Sequence, residues 1–176
     1  MKSQLVLIGM PGCGKTTVGK RLAKLTNKQF IDLDEYIVQT TGQSIPRLFE
    51  KGEEHFRNIE TEICREIGEK KGYIIATGGG VVKRRENMEA LRKNGIIVFL
   101  DRPLEFIFSD IHTESRPLLK DGKDRLYTLY KERYGLYKKY ADEVIHNDKT
   151  LQETVEKLIH VMKKHQLLDP EQTSSR

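Results

Sequence analysis

The sequence predicts an α/β protein: a parallel sheet whose two faces are both covered by helices. Three observations carry this. Short apolar runs alternate with helix-like segments, the runs are near-continuous, and a glycine-rich turn joins the first run to the first helix. A strand buried on both faces has no solvent side to keep polar, so such runs mark a parallel sheet. Sheets of this kind bind ligands at the carboxyl ends of their strands.

The elements follow in chain order. Residues 4–9 read as a buried strand stopped by glycine. A helix follows, with Val18, Leu22 and Leu25 spaced near one turn. Gln29–Leu33 reads as the second strand and runs into Asp32-Leu33-Asp34-Glu35. Residues 34–70 are helical in pieces, broken at Gly42 with Ser44/Pro46 and again at Gly52, because Ser caps a helix and Pro suits its first turn. Gly72–Ala76 is the third strand and leads into Thr77-Gly78-Gly79-Gly80. Arg84–Lys93 is helical, Ile96–Leu100 the fourth strand, and Pro103 opens another helix. Residues 109–122 contain Pro117 and Gly122 and read as a loop. Asp124–Tyr140 is helical, Glu143–His146 the fifth strand and Leu151–Lys164 the last helix.

A chain of 176 residues is enough for one domain with a real core. Hydrophobic residues make up 37% and charged residues 32%, as in a soluble globular protein. No apolar run approaches the roughly 20 residues that cross a bilayer, and the N-terminus has no small-residue cleavage site. Cys13 and Cys64 form no framework and read as free thiols in a reducing compartment, which places the protein in the cytoplasm. The net charge of +5 reads as a solvated basic surface, part of it available to anionic small molecules. The basic pairs are scattered and no aromatic-rich signature accompanies them, which argues against nucleic acid. The five histidines show no metal-ligand spacing.

Gly9-Met10-Pro11-Gly12-Cys13-Gly14-Lys15-Thr16 matches G-x-x-x-x-G-K-[ST] in full, between a strand and a helix. Glycines let successive N–H groups turn inward around a phosphate, and the helix that follows points its positive end at the same anion. Lys15 is placed to reach the β- and γ-phosphates and the Thr16 hydroxyl to bind Mg²⁺. The motif predicts a nucleoside triphosphate, not a reaction. A switch GTPase would carry an Asn-Lys-x-Asp guanine reader, and Asn147-Asp148-Lys149 is not one; a motor would be longer.

Asp32 and Asp34 stand two apart at a strand end, so alternation would send both to one side. One could serve the metal and one an acceptor hydroxyl; the pair could equally cap a helix. Three glycines after a buried strand allow a ligand close to the backbone. Arg57 and Arg133, taken alone, read as surface arginines.

Together these residues resemble the shikimate kinases. Gly9–Thr16, Asp32-Leu33-Asp34-Glu35, Phe56-Arg57 with Glu60, Gly78-Gly79-Gly80, Ser115-Arg116-Pro117-Leu118-Leu119, and Arg133 with Tyr137 occur in that family's order and spacing, over roughly residues 4–146. The P-loop is generic; the combination of the other segments is specific. The resemblance implies a three-layer P-loop NTPase fold, like that of nucleoside monophosphate kinases, with a five-stranded parallel sheet in order 2-3-1-4-5. It implies one domain over 1–165, a substrate-binding helical region at about 34–60, a mobile lid at about 109–122 and a flexible tail from 166 to 176. The reaction would move the γ-phosphoryl group of ATP to the 3-hydroxyl of shikimate, with one Mg²⁺ per subunit, in a monomer that needs neither nucleic acid nor membrane.

The same resemblance gives the residues their roles. Gly12, Cys13, Gly14, Lys15, Thr16 and Thr17 would bind ATP, with Arg116 reaching its phosphates from the lid. Asp34 would bind the shikimate hydroxyls and act as base, while Arg57, Arg133 and the N–H groups of Gly79 and Gly80 would hold the carboxylate. Glu60 would orient Arg57, and Asp32 would hold Mg²⁺ together with Thr16. The catalytic group is then Asp34, Lys15 and Arg116. In one departure, Ser109 stands where many family members carry a second basic lid residue, so transition-state charge would rest on Lys15, Arg116 and Mg²⁺, or Lys120 or Lys123 would swing in. The adenine contact falls in Asn147–Thr150. The rivals are another small-molecule kinase of the gluconate kinase kind, an inactive metabolite-binding relative, and a basic RNA-binding module.

Overall fold

The computed structural model describes residues 1–113 and 120–169. Five strands form one sheet: β1 (Gln4–Ile8), β2 (Gln29–Asp32), β3 (Tyr73–Ala76), β4 (Gly95–Asp101) and β5 (Glu143–His146). All four pairings are parallel, in the order β2-β3-β1-β4-β5. Leu7 of β1 sits opposite Ala76 on one side and Val98 on the other. Every residue of β1 and β4 is buried, which needs cover on both faces, whereas the edge strands β2 and β5 are only half-buried. That difference is why the central strands read as unbroken apolar runs and the edges do not.

The helices are α1 (Lys15–Thr26), α2 (Leu33–Thr41), α3 (Ile45–Glu50), α4 (Glu53–Gly68), α5 (Arg85–Arg92), α6 (Leu104–Thr113), α7 (Lys120–Tyr140) and α8 (Leu151–Lys164). α1 packs against β3 and α8, and α4 against α5. Ser44 caps α3 by accepting from the Arg47 N–H, with Pro46 in the first turn, and Gly52 precedes α4, so the expected breaks at Gly42, Ser44 and Gly52 separate α2, α3 and α4. Among the described residues no helix is long and apolar enough to cross a membrane.

Three local expectations change. The second strand stops at Asp32, and Leu33 begins α2, because the Asp32 carboxylate caps that helix. Leu25 is 52% exposed: α1 buries the stripe Val18, Gly19, Leu22, Ala23 and Thr26, and Leu25 points away from it. The loop expected over 109–122 is shorter. α6 continues to Thr113, and α7 already starts at Lys120 and accommodates Gly122 inside it. Pro117 and Arg116 lie outside the described residues.

Candidate active site

The P-loop connects β1 to α1. Gly14 adopts φ 100° as the N-cap of α1 and brings no capping side chain, which leaves the first N–H groups of the helix available to an anion. A β-carbon on Gly14 would stand 2.9 Å from Asn147 Nδ2. Lys15 is buried and folds back along the loop, donating to the carbonyls of Gly9 at 2.7 Å and Met10 at 2.9 Å. The ammonium is thereby held against the loop's own carbonyls. Thr17 is exposed beside it.

The Thr16 hydroxyl donates to Asp32 Oδ2 at 2.8 Å, while Asp32 Oδ1 accepts from the Glu35 N–H at 3.1 Å. One carboxylate thus joins β2, α1 and α2. Asp32 and Asp34 do share a cleft, but not by strand alternation: Asp34 lies in the first turn of α2. Both readings of Asp32 hold together, since it caps a helix and faces the P-loop threonine.

Asp34 is pushed above the ordinary carboxylate range by burial and by the neighbouring Asp32; Lys15 and Arg57 oppose the shift. The triple glycine explains itself against these groups. A β-carbon on Gly78 would lie 3.0 Å from Asp34 Oδ1 and 3.5 Å from Glu60 Oε2; one on Gly79 would meet Pro11 Cδ at 2.8 Å; one on Gly80 would meet Arg57 Cζ at 2.6 Å. Four side chains, from the P-loop, α2 and α4, therefore crowd one turn.

Arg57 is 8% exposed. Its NH1 donates to Glu60 Oε1 at 2.9 Å and its Nε to Glu53 Oε1 at 3.4 Å. Its guanidinium lies 5.8 and 5.1 Å from the rings of Phe49 and Phe56, which stack on each other at 4.4 Å. Glu60 is fully buried, and burial raises its carboxyl against the pull of Arg57. Its Oε2 has no hydrogen-bond partner among the described residues. Lys83 bonds the same Glu53 oxygen and ties the turn after Gly80 to α4.

Arg133 stands one turn before Tyr137 on α7, and its charge acts on both Glu60 and Tyr137. The Tyr137 hydroxyl donates to the Gly79 carbonyl at 2.6 Å. Asn147 is already engaged: Nδ2 donates to the Cys13 carbonyl at 2.9 Å and Oδ1 accepts from Thr154 at 2.8 Å. Both cysteines are buried and free, and burial pushes the Cys64 thiol up.

One edge of the sheet thus gathers Lys15, Thr16, Asp32, Asp34, Arg57, Glu60, Gly78–Gly80 and Arg133. Arg116 falls outside the described residues, and Ser109 is exposed on α6. The sequence reading missed Glu53, Phe49 and the hydroxyl of Tyr137. The first had a signal, since Glu53 and Glu60 flank Arg57 by one turn on either side; the tertiary contact of Tyr137 had none.

The family model for shikimate kinase matches residues 11–163. A shikimate kinase of Clostridium botulinum (strain Alaska E43 / Type E3) is 50% identical over 158 residues, 90% of this chain and 96% of that one. One of Clostridium beijerinckii is 45% identical over 162 residues, 92% and 96%. The solved shikimate kinase from Acinetobacter baumannii in complex with shikimate superposes with TM-score 0.85 at 33% identity, covering 95% of this chain and 96% of that one. A gluconokinase from Sinorhizobium meliloti 1021, at TM-score 0.61 and 14% identity, shares the fold alone.

Proposed function

The chain belongs to the shikimate kinase family, whose reaction moves a phosphoryl group from ATP to shikimate, and we propose how its residues divide that work. The observation that carries the division is the place of Asp34, in the first turn of α2 and 3.0 Å from where a β-carbon on Gly78 would stand, with Asp32, Lys15 and Arg57 all near enough to act on its charge.

The N–H groups of Gly12–Thr16 cradle the ATP phosphates, with Thr17 at the start of α1 and Lys15 reaching toward the transferred group. The shikimate carboxylate lies between Arg57, Arg133 and the N–H groups of Gly79 and Gly80. With Nε and NH1 of Arg57 bonded to Glu53 and Glu60, its NH2 edge is left for the ligand. Asp34 accepts the hydrogen bond of the 3-hydroxyl and takes its proton. The hydroxyl oxygen then bonds to the γ-phosphorus as the bond to the ADP oxygen breaks. Arg116 contacts the ATP phosphates.

The Thr16 hydroxyl and Asp32 Oδ2, 2.8 Å apart, are hard oxygen donors of the kind Mg²⁺ takes. Among the described residues no group of three His, Cys, Asp or Glu side chains could hold a metal, but a nucleotide-bound Mg²⁺ needs only one or two protein oxygens. One Mg²⁺ per subunit, held by Thr16 and through water by Asp32, would neutralise phosphate charge. The enzyme works as a cytoplasmic monomer without nucleic-acid or membrane partners, in one domain over 1–165, with substrate helices around 34–60, a closing segment around 109–122 and a tail from 166.

The test is ADP release by purified protein with MgATP, with and without shikimate, and with quinate and gluconate as controls. Turnover confined to shikimate is expected. Equal turnover with gluconate would keep the kinase, overturn shikimate as its particular acceptor and reopen the assignment of Arg57 and Arg133.

A further inference from the structure

Tyr137 has no role in the division above, yet it is the largest fully buried side chain described. Its ring stacks on Phe99 of β4 with centroids 5.1 Å apart. Phenylalanine would serve that packing equally well, and burying a hydroxyl is costly unless the hydroxyl is used. It is used: Oη donates to the Gly79 carbonyl at 2.6 Å, beside Met10 Sδ at 3.9 Å.

The bond matters because of where it lands. A run of three glycines has no side chain to hinder rotation of its peptide planes. The neighbouring carbonyls are held locally, Gly78 by the Val81 N–H at 3.2 Å and Gly80 by the Lys83 N–H at 3.1 Å. The Gly79 carbonyl is held by Tyr137, 58 residues away in sequence. The Gly79 C=O and the Gly80 N–H belong to one rigid trans peptide and point in opposite directions. Fixing the oxygen on α7 therefore fixes the direction of the Gly80 N–H. Arg133 rides on the same helix, one turn earlier, close enough to favour the ionised phenol against the burial that disfavours it.

We propose that the Tyr137 hydroxyl is a positioning group for the acceptor carboxylate: it aims the Gly80 N–H and sets that N–H in register with Arg133. The inference rests on the carboxylate site described under the proposed function. Tyr137 touches no reacting atom.

Tyr137→Phe keeps the ring and its stacking and removes one oxygen. The KM for shikimate is expected to rise about 5- to 10-fold, the scale of one net hydrogen bond, with kcat and the KM for ATP changed by less than about twofold. The sharper readout is the methyl ester of shikimate, which lacks the anionic carboxylate. Wild type should prefer the acid, and the variant should lose that preference by the factor its KM rises. In ¹⁵N spectra the Gly80 amide should shift on adding shikimate to wild type and shift less in the variant. An unchanged acid-to-ester ratio with an unchanged Gly80 response overturns the inference. So does a variant that loses kcat and both KM values together with its thermal stability, because the hydroxyl is then merely structural. Wild type that treats acid and ester alike, with Arg133→Ala silent, removes the carboxylate site itself and this inference with it. Wild type that discriminates, beside a variant that does so equally, removes the role of Tyr137 alone.

Discussion

Thr16 and Asp32 are joined by a 2.8 Å hydrogen bond that ties the first turn of α1 to the end of β2, and the other oxygen of Asp32 caps α2. Two contributions are therefore separable. Asp32→Asn keeps an oxygen for the cap but halves the acceptor capacity and removes the charge. Asp32→Ala loses both. The alanine variant should lose about 1 kcal/mol of stability through the cap, the asparagine variant less. Both should require more Mg²⁺ for half-maximal activity. Urea melts and a Mg²⁺ titration of ADP release check this; equal stabilities would remove the capping argument.

Asp34→Asn tests the base. The amide fits the same space beside Gly78 but cannot accept a proton. Turnover should fall about 10²-fold or more while ATP still binds. Near-full turnover would leave Asp34 as a hydroxyl ligand only.

Arg57 and Arg133 should behave differently although both are proposed to hold the same carboxylate. Arg57 is buried and paired with the fully buried Glu60, so Arg57→Ala strands a buried carboxylate and should cost about 3–5 kcal/mol besides raising the KM for shikimate. Arg133 is half-buried, and Arg133→Ala should raise that KM with little loss of stability. Adding Glu60→Gln to Arg57→Ala should restore part of the stability and none of the binding. Thermal melts beside the two KM values settle it; a larger rise in the KM for ATP would sink both clamps.

Much of this was legible beforehand, for physical reasons. The central strands announced themselves because β1 and β4 are buried on both faces. The P-loop did so because its backbone geometry demands glycine. Boundaries set by one side chain were not legible. Asp32 ends a strand because its carboxylate finds the Glu35 N–H, and period-2 reasoning carried the strand past it. Arg57 looked like a surface residue because its burial comes from Phe49, Phe56 and Gly80, none of which its own spacing reveals. The Tyr137–Gly79 bond spans 58 positions and leaves no local trace.

Acid should loosen β5 from α8. Hydrogen bonds from Lys164 and His165 hold the Glu143 carboxyl below its ordinary range. A depressed carboxylate stabilises the fold above its unfolded pKa, and that share is lost as pH falls through the lower folded value. Stability should therefore drop between about pH 5 and the folded pKa, by no more than about 1 kcal/mol for a pair near the surface. Glu143→Gln should flatten that part of the stability-against-pH curve. An unaltered slope would mean the contact is energetically silent.

Asn147 stands in the stretch assigned to adenine, but its side chain is turned inward and supports the P-loop. Nδ2 donates to the Cys13 carbonyl and Oδ1 accepts from Thr154 on α8. Asn147→Ala leaves the Cys13 carbonyl without its side-chain donor and the Thr154 hydroxyl with only the Thr150 carbonyl at 3.3 Å, and should cost about 1–3 kcal/mol. It should also raise the KM for ATP more than that for shikimate, because the loop it loosens is the proposed phosphate cradle. Asn147→Asp is the harsher change despite its similar shape. A carboxylate still accepts from Thr154 but sets an anionic acceptor against the Cys13 carbonyl, where a donor is required. Steady-state kinetics of the two variants should rank them in that order. If aspartate is tolerated better than alanine, or if the KM for ATP does not move in either, Asn147 does not set the shape of the loop.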